Sequence, residues 1–210
     1  MPRRVKDSPR ARAIALSLGL IPPRPMHTAA EAGLLTELAR DAHCVVEIGV
    51  FEGSSALVFC AAMARSSELH LIDPFIDETG SALLPGWRAT PVATRRAVAR
   101  ACAGGPRIQW HVARSHDVGR TWSGAPVDLV SFDGDHSARG CREDWEAWYP
   151  HVARGGSVAF HDARLGAADG RGSVTVTQVV DELFRTGGQP GWHISNELGS
   201  LVVVSRLGDG

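Results

Sequence analysis

The stretch that most constrains this chain is His43–Pro74, HCVVEIGVFEGSSALVFCAAMARSSELHLIDP. Cys44–Ile48 is a short apolar, β-branched run broken by one acid, which predicts a strand buried on both faces. Gly49 and Gly53 frame a turn. Ser54 or Ser55 is suited to cap the following helix, because a hydroxyl accepts from a free backbone N–H there. Ala56–Ala64 is apolar nearly all round, as in a helix packed on a sheet. Glu68–Ile72 resumes a strand, which Asp73-Pro74 ends.

A strand–turn–helix–strand unit of this kind predicts a ligand site. In open parallel sheets, ligands sit beyond the carboxyl ends of the strands, where strand order reverses. Glycines at the turn permit close approach to the backbone. Asp73, 24 residues after Gly49, stands where a carboxylate accepts ribose hydroxyls. The expectation is a nucleoside-containing cofactor held by Glu47, Gly49, Glu52, Gly53, Ser54 and Asp73. A dinucleotide site requires G-x-G-x-x-G and a P-loop requires G-x-x-x-x-G-K-[ST]. This chain has G-x-x-x-G, and its single lysine is Lys6. Glu47 and Glu52 repel phosphate but suit a cationic sulfonium and an amino group. The competing reading is a structural unit with no ligand.

Composition narrows the partners. Net charge is -1, with 44% hydrophobic and 21% charged residues, ordinary for a globular domain. No basic face is implied, so nucleic acid is not an expected partner. Cys44, Cys60, Cys102 and Cys141 form no C-x-x-C pair, which predicts free, buried thiols in a reducing cytoplasm. No run reaches the roughly 18 apolar residues of a membrane span, and the N-terminus has no signal-peptide apolar core.

Residues 1–27 read as an extension with a short helix over Ala11–Leu20, and 28–210 as a single domain. Thr28 and Glu31 form a capping box for a helix over Ala29–Arg40. Met26 and His27 are candidates for a substrate mouth. Asp77–Thr90, with Trp87 and Arg88, reads as an irregular loop. Pro91–Ala103 is helical, with Arg95, Arg96 and Arg100 on a solvated face. Arg107–Ala113 is a third strand and Val127–Phe132 a fourth, running into Asp133-Gly134-Asp135-His136. In Arg142–Tyr149, Trp145 and Trp148 form an aromatic core face. Strand five, Ser157–Phe160, ends in His161-Asp162. After a helix over Val174–Phe184, a hairpin turns at Leu198-Gly199. Alternating strands and helices closed by a hairpin predict an α/β sandwich with an antiparallel edge.

The pattern E-I-G-x-x-x-G followed by L-I-D resembles the first two motifs of class I S-adenosylmethionine-dependent methyltransferases. The resemblance implies a Rossmann-like, seven-stranded, mostly parallel sheet with a C-terminal antiparallel hairpin, and S-adenosylmethionine as cofactor. It also adds Ala113, Ser115 and Asp133 as cofactor residues. The segment VDLVSFDGDHSARGCREDWEAWYPHVARGGSVAFHDAR is similar to small-molecule O-methyltransferases of the catechol-methyltransferase-like and antibiotic sugar type. That branch implies a divalent metal, Mg²⁺ or Mn²⁺, on Asp133, His161 and Asp162, which chelates the hydroxyls of a small-molecule substrate. Its lysine base is replaced here by His136, whose ordinary pKa near 6.5 suits proton removal at neutral pH. Asp133, His136 and His161 are therefore the catalytic candidates. Alternatives left open are a metal-free N- or O-methyltransferase with a histidine base, an NAD-type oxidoreductase, and a non-catalytic cofactor-binding or homo-oligomerising module.

Overall fold

The computed structural model describes residues 9–76, 91–166 and 172–208. The expectations for Asp77–Thr90, Trp87 and Arg88 included, lie outside the described residues, as does part of the loop at 163–172.

Seven strands form one sheet in the order β3-β2-β1-β4-β5-β7-β6. They are β1 (Cys44–Ile48), β2 (Glu68–Ile72), β3 (Arg107–His111), β4 (Val127–Phe132), β5 (Val152–Phe160), β6 (Trp192–Leu198) and β7 (Leu201–Arg206). The first five pair in parallel, while β7 pairs antiparallel with both β5 and β6. The α/β sandwich with an antiparallel C-terminal hairpin is as expected. Strand order reverses between β1 and β4, so the ligand crevice of such a sheet falls at their carboxyl ends.

β1 is buried along its whole length because both faces are covered. On one face, Val45, Leu69, Leu71 and Leu129 pack with Leu34, Leu35 and Phe59. These last three belong to α2 (Ala29–Ala39) and α3 (Ser54–Ala62). On the other, Val46, Ile48, Val130 and Phe160 pack with Trp145, Trp148 and Val179. Those come from α6 (Ala138–Trp148) and α7 (Val174–Val180), which runs on as a π-helical turn over Asp181–Thr186. Both tryptophans are core residues, as their three-residue spacing predicts.

The capping box forms as expected: Thr28 Oγ1 accepts from Glu31 N at 3.2 Å, and Thr28 N donates to Glu31 Oε2 at 2.7 Å. Glu31 also reaches across the fold to the β6–β7 turn, where Ser200 N donates to its Oε1 at 2.7 Å.

Two expectations are corrected, and one helix was not anticipated. Cys60 of α3 and Cys102, just after α4 (Pro91–Ala101), form a disulfide with Cα atoms 5.3 Å apart. Two neighbouring helices on one sheet face bring them together, so no C-x-x-C spacing was needed. Cys44 and Cys141 are the free, buried thiols. The arginines of α4 are not merely solvated. Arg96 donates to Ser17 Oγ, and Arg100 to the carbonyls of Leu16 and Ser17, which ends α1 (Pro9–Ser17) with a cation at its orphan carbonyls. Arg95 lies over the Trp110 ring at 5.3 Å. Finally, α5 (Ser115–Arg120) is a single-turn helix that hydrophobic periodicity did not reveal. No described helix is long and apolar enough to cross a membrane.

Candidate active site

The turn after β1 is held by Asp73 at the end of β2. Its Oδ2 accepts from Val50 N at 3.0 Å and Phe51 N at 2.9 Å, and its Oδ1 from Phe75 N at 2.6 Å. Phe51 and Phe75 both have left-handed φ, +52° and +51°, a conformation that costs a non-glycine residue about 1–3 kcal/mol. The carboxylate stabilises both by accepting their N–H groups. A carboxylate has about four acceptor positions, so one face of Asp73 remains for a ligand. Burial raises its pKa, against the three backbone bonds.

Gly49 is required for a reason the sequence did not disclose. With φ +87°, a Cβ on it would collide with the Asp133 carbonyl at the end of β4. The close approach seen here is that of the backbone at the end of β4. Gly53, φ +88°, is the N-cap of α3 and presses on Val98. The serines are therefore not the cap. Instead, Ser55 donates to Glu47.

The two acids of the turn are both buried. Glu47 is buried, and burial pushes its pKa up to about 8 despite the Ser55 hydrogen bond. Glu52, 1% exposed, is paired with Arg12 and accepts from Arg24 N at 2.8 Å. It anchors the N-terminal segment. Neither carboxylate lines the cavity described below, nor do Gly53, Ser54 and Ala113. Packing against α3 and residues 12–24, invisible in the local motif, took them.

The strongest cluster lies one strand further on. His161 Nδ1 is 3.2 Å from Asp133 Oδ1 and 3.5 Å from Asp162 Oδ1. His136 Nε2 is 3.2 Å from Asp162 Oδ2 and 3.7 Å from Asp133 Oδ1. The strand ends explain the convergence: His161 N donates to Phe132 O at 2.9 Å, continuing the β4–β5 ladder. Asp162 then turns with φ +54°. Burial disfavours the His161 cation, yet Asp133 and Asp162 push its pKa up to about 10. The neighbouring Asp162 carboxylate raises the pKa of His136. Asp162 is held well below the carboxylate range by both histidines, against burial.

Several polar atoms here lack a well-aligned hydrogen bond: His136 Nε2, both His161 nitrogens and Asp162 Oδ1. Buried groups in that state want a further partner. Ligand atoms of Asp133, His136 and Asp162 all lie within 4.8 Å of one another, a set that fits a divalent cation. That trio differs from the expected Asp133, His161 and Asp162. His136 stands on the open side of the cluster, while His161 sits behind it, 6% exposed.

A cavity of about 930 Å³ joins these parts, the size of a cofactor-plus-substrate site. Gly49, Phe51, Asp73, Ser115, Asp133 and His136 line it, with Met26 at its rim. Ser115 is thus brought to the site as expected. Sequence reasoning missed Asp144 and Glu143 of α6, and Arg114 and His116. Asp144 carried a readable signal: it is an acid on the apolar stripe of Cys141, Trp145 and Trp148.

The sequence profile of the methyltransferase domain family matches residues 46–163, which spans β1 to the end of β5. Comparison with curated proteins finds no match. Among solved structures, a Corynebacterium glutamicum protein is 23% identical, with all of this chain and 92% of that chain covered and a TM-score of 0.64. TomG, a Streptomyces achromogenes O-methyltransferase involved in tomaymycin synthesis and solved with S-adenosylmethionine, is 18% identical. It covers 99% of this chain and 91% of its own, with a TM-score of 0.61. An O-methyltransferase from Bacillus cereus, solved with S-adenosylhomocysteine, is 13% identical over 98% and 92%, with a TM-score of 0.61. These likenesses are of fold. With the family profile covering more than half its length, the chain belongs to the methyltransferase domain family and is a class I S-adenosylmethionine-dependent methyltransferase.

Proposed function

We propose that this enzyme methylates a hydroxyl oxygen of a small molecule, with a divalent cation at Asp133, His136 and Asp162. The observation that carries the reading is the two-aspartate, two-histidine cluster opening onto the same cavity as Asp73. TomG and the Bacillus cereus protein, both O-methyltransferases, lend it support by analogy of fold.

S-adenosylmethionine, when bound, supplies a methyl group on a cationic sulfur. Asp73 accepts a ribose hydroxyl at its remaining acceptor position, and the Gly49–Phe51 backbone forms the floor. Asp133, Asp135 and Glu143 give this wall of the cavity the negative charge that suits a sulfonium. A divalent cation, when bound, supplies charge that acidifies the acceptor hydroxyl. Asp133, His136 and Asp162 hold it, and His161 fixes Asp133 from behind. Two oxygens and one imidazole suit Mn²⁺ or a similar borderline ion better than Mg²⁺.

A second reading has its own observation. His136 is the one histidine of the cluster on the cavity wall, and Asp162 orients it at 3.2 Å. Without a cation, that pair is a carboxylate-backed general base.

Methyl transfer to a panel of phenols, sugars and amines, with and without EDTA and added Mn²⁺, tests both. The metal reading expects activity on hydroxyls that EDTA removes and Mn²⁺ restores. Full activity after chelation, with loss of about 10²–10⁴-fold in His136→Ala, leaves the base reading. Transfer to amines alone removes both.

A further inference from the structure

Helix α4 carries a second buried stripe besides the face it turns to α1. Thr94, Val98 and Cys102 stand four residues apart, so they share one side of the helix. Cys102 lies one residue past the helix end, and its N–H still donates to Val98 O at 2.8 Å. Each member of the stripe meets the turn after β1 or the helix that leaves it. Thr94, fully buried, donates from Oγ1 to Phe51 O at 2.8 Å. Val98 presses on Gly53, where a Cβ would come 2.8 Å from its Cγ2. Cys102 is bonded to Cys60.

One end of the stripe touches the cavity wall, and the other is covalent. Phe51 lines the cavity beside Gly49 and Asp73. Asp73 holds the N–H of this left-handed residue, and Thr94 holds its carbonyl. The buried residues of α4 are Ala93, Thr94, Ala97 and Val98. Hydrophobic stabilisation scales with apolar area, so a helix with one buried valine is held only weakly by packing. α1 rests on α4 through Arg100, and its Arg12 joins Glu52 of the same turn. The Cys60–Cys102 bond therefore fastens two supports of that turn at once. The other cysteines stand apart from it. Burial pushes the thiols of Cys44 and Cys141 up to about 11 and about 12, so neither supplies a thiolate to exchange with this bond near neutral pH.

We propose that the Cys60–Cys102 bond is a redox control on cofactor binding, transmitted along α4 by Thr94, a positioning residue for the Phe51 peptide. The proposal rests on the reading that the cofactor lies on the Gly49–Phe51 backbone. The step is thiol–disulfide exchange with a dithiol. The dithiol gives two electrons and two protons, the S–S bond of Cys60 and Cys102 breaks to two thiols, and the reductant closes to its own disulfide. With the bond open, α4 loses its covalent hold on α3, and Thr94 no longer fixes the Phe51 carbonyl. The oxidised enzyme is the tight binder and the reduced enzyme the weak one.

The test is titration calorimetry of S-adenosylhomocysteine on the full chain, oxidised and after reduction with dithiothreitol. Alkylation in denaturant should count two free thiols in the oxidised chain, those of Cys44 and Cys141, and four after reduction. Reduction should weaken binding about 5- to 150-fold, the usual range of coupling between two sites. Cys60→Ser combined with Cys102→Ser should bind as weakly as reduced wild type, with or without dithiothreitol. Thr94→Val, with the bond intact, should bind weakly in both states and bring the redox ratio close to one. A disulfide that only stabilises the fold would change the melting temperature and leave affinity equal in both states, which overturns the proposal. So would four free thiols in the aerobically oxidised chain, or a full redox ratio in Thr94→Val. Should reduction unfold the chain, oxidised Thr94→Val still decides, because unchanged affinity there sinks the proposal. Failure of S-adenosylhomocysteine to bind oxidised wild type would remove the cofactor reading, and this proposal with it.

Discussion

His161 Nδ1 lies 3.2 Å from Asp133 Oδ1 and joins the carboxyl ends of β5 and β4. Burial works against the imidazolium, and the two aspartates overcome it, carrying the pKa to about 10 from the ordinary 6.5. A folded pKa above the unfolded one gives stability that is complete below about 6.5 and lost as pH rises through about 10. In EDTA, the melting temperature should fall between pH 7 and pH 10. His161→Gln should flatten that limb while lowering stability at pH 7. Scanning calorimetry across pH reads both. An unchanged alkaline limb in the variant would refute the pairing.

Glu47 should act in an earlier window. Its folded pKa of about 8 exceeds the ordinary 4.5 because the ionised form is buried. The folded state therefore binds the extra proton, and stability declines as pH rises from about 4.5 to about 8. Glu47→Gln keeps the Ser55 contact without the charge. The variant should lose this neutral-range slope, and its stability at pH 8 should equal or exceed that of wild type. Equal slopes in denaturant titrations at several pH values would contradict this.

Asp73→Asn should separate two duties of one side chain. It weakens the charged acceptor that holds Val50, Phe51 and Phe75, so the melting temperature should drop. Affinity for S-adenosylhomocysteine should fall about 10- to 100-fold, from the loss of hydrogen bonds to a charged group worth about 1.5–3 kcal/mol each. Calorimetry with the folded variant decides. Unaltered affinity would take Asp73 out of the ribose site.

Gly49→Ala should fail in the absence of any ligand. Both φ +87° and the collision with the Asp133 carbonyl belong to the protein itself, and strain of this kind costs more than about 1 kcal/mol before the clash is counted. A lowered melting temperature without cofactor is expected. Normal stability with selectively lost binding would restore the reading in which the glycine makes room for a ligand.

Glu52→Gln should loosen the N-terminal segment. Arg12 and the Arg24 amide both end on this buried carboxylate. Proteolysis between residues 9 and 27 should speed up several-fold, with β1 and α3 retained. Cleavage at the wild-type rate would show that the anchor lies elsewhere.

Much of the architecture was legible because it is written in local pattern. Cys44–Ile48 had to be a central strand, Thr28 and Glu31 a capping box, and Leu198-Gly199 a hairpin turn. Asp73, Asp133, His136, Ser115 and Gly49 were found because they sit at strand ends, where topology alone brings chemistry together. Other features depend on contacts between distant segments. Glu52 meets Arg12 across the turn, Cys60 meets Cys102 across two helices, and Gly49 meets the backbone of Asp133. No window of sequence contains both partners. Asp144 falls between these cases. Its acid on an apolar helical face was visible, but its place in the cavity wall was not.

Glu31 begins the first helix of the parallel sheet's scaffold, yet Ser200, which donates to it, lies 169 residues away. A contact of that sequence separation closes late in folding, because loop-closure entropy must be met by earlier structure. The start of α2 therefore reports on the arrival of the final hairpin. During synthesis from the N-terminus, α2 can form early but cannot mature until β6 and β7 have emerged. Truncation before residue 200 should leave Glu31 Oε1 without its Ser200 donors, with only the Thr28 bonds to Oε2 remaining. In pulsed hydrogen exchange, the Ser200 amide should gain protection no earlier than the amides of β7.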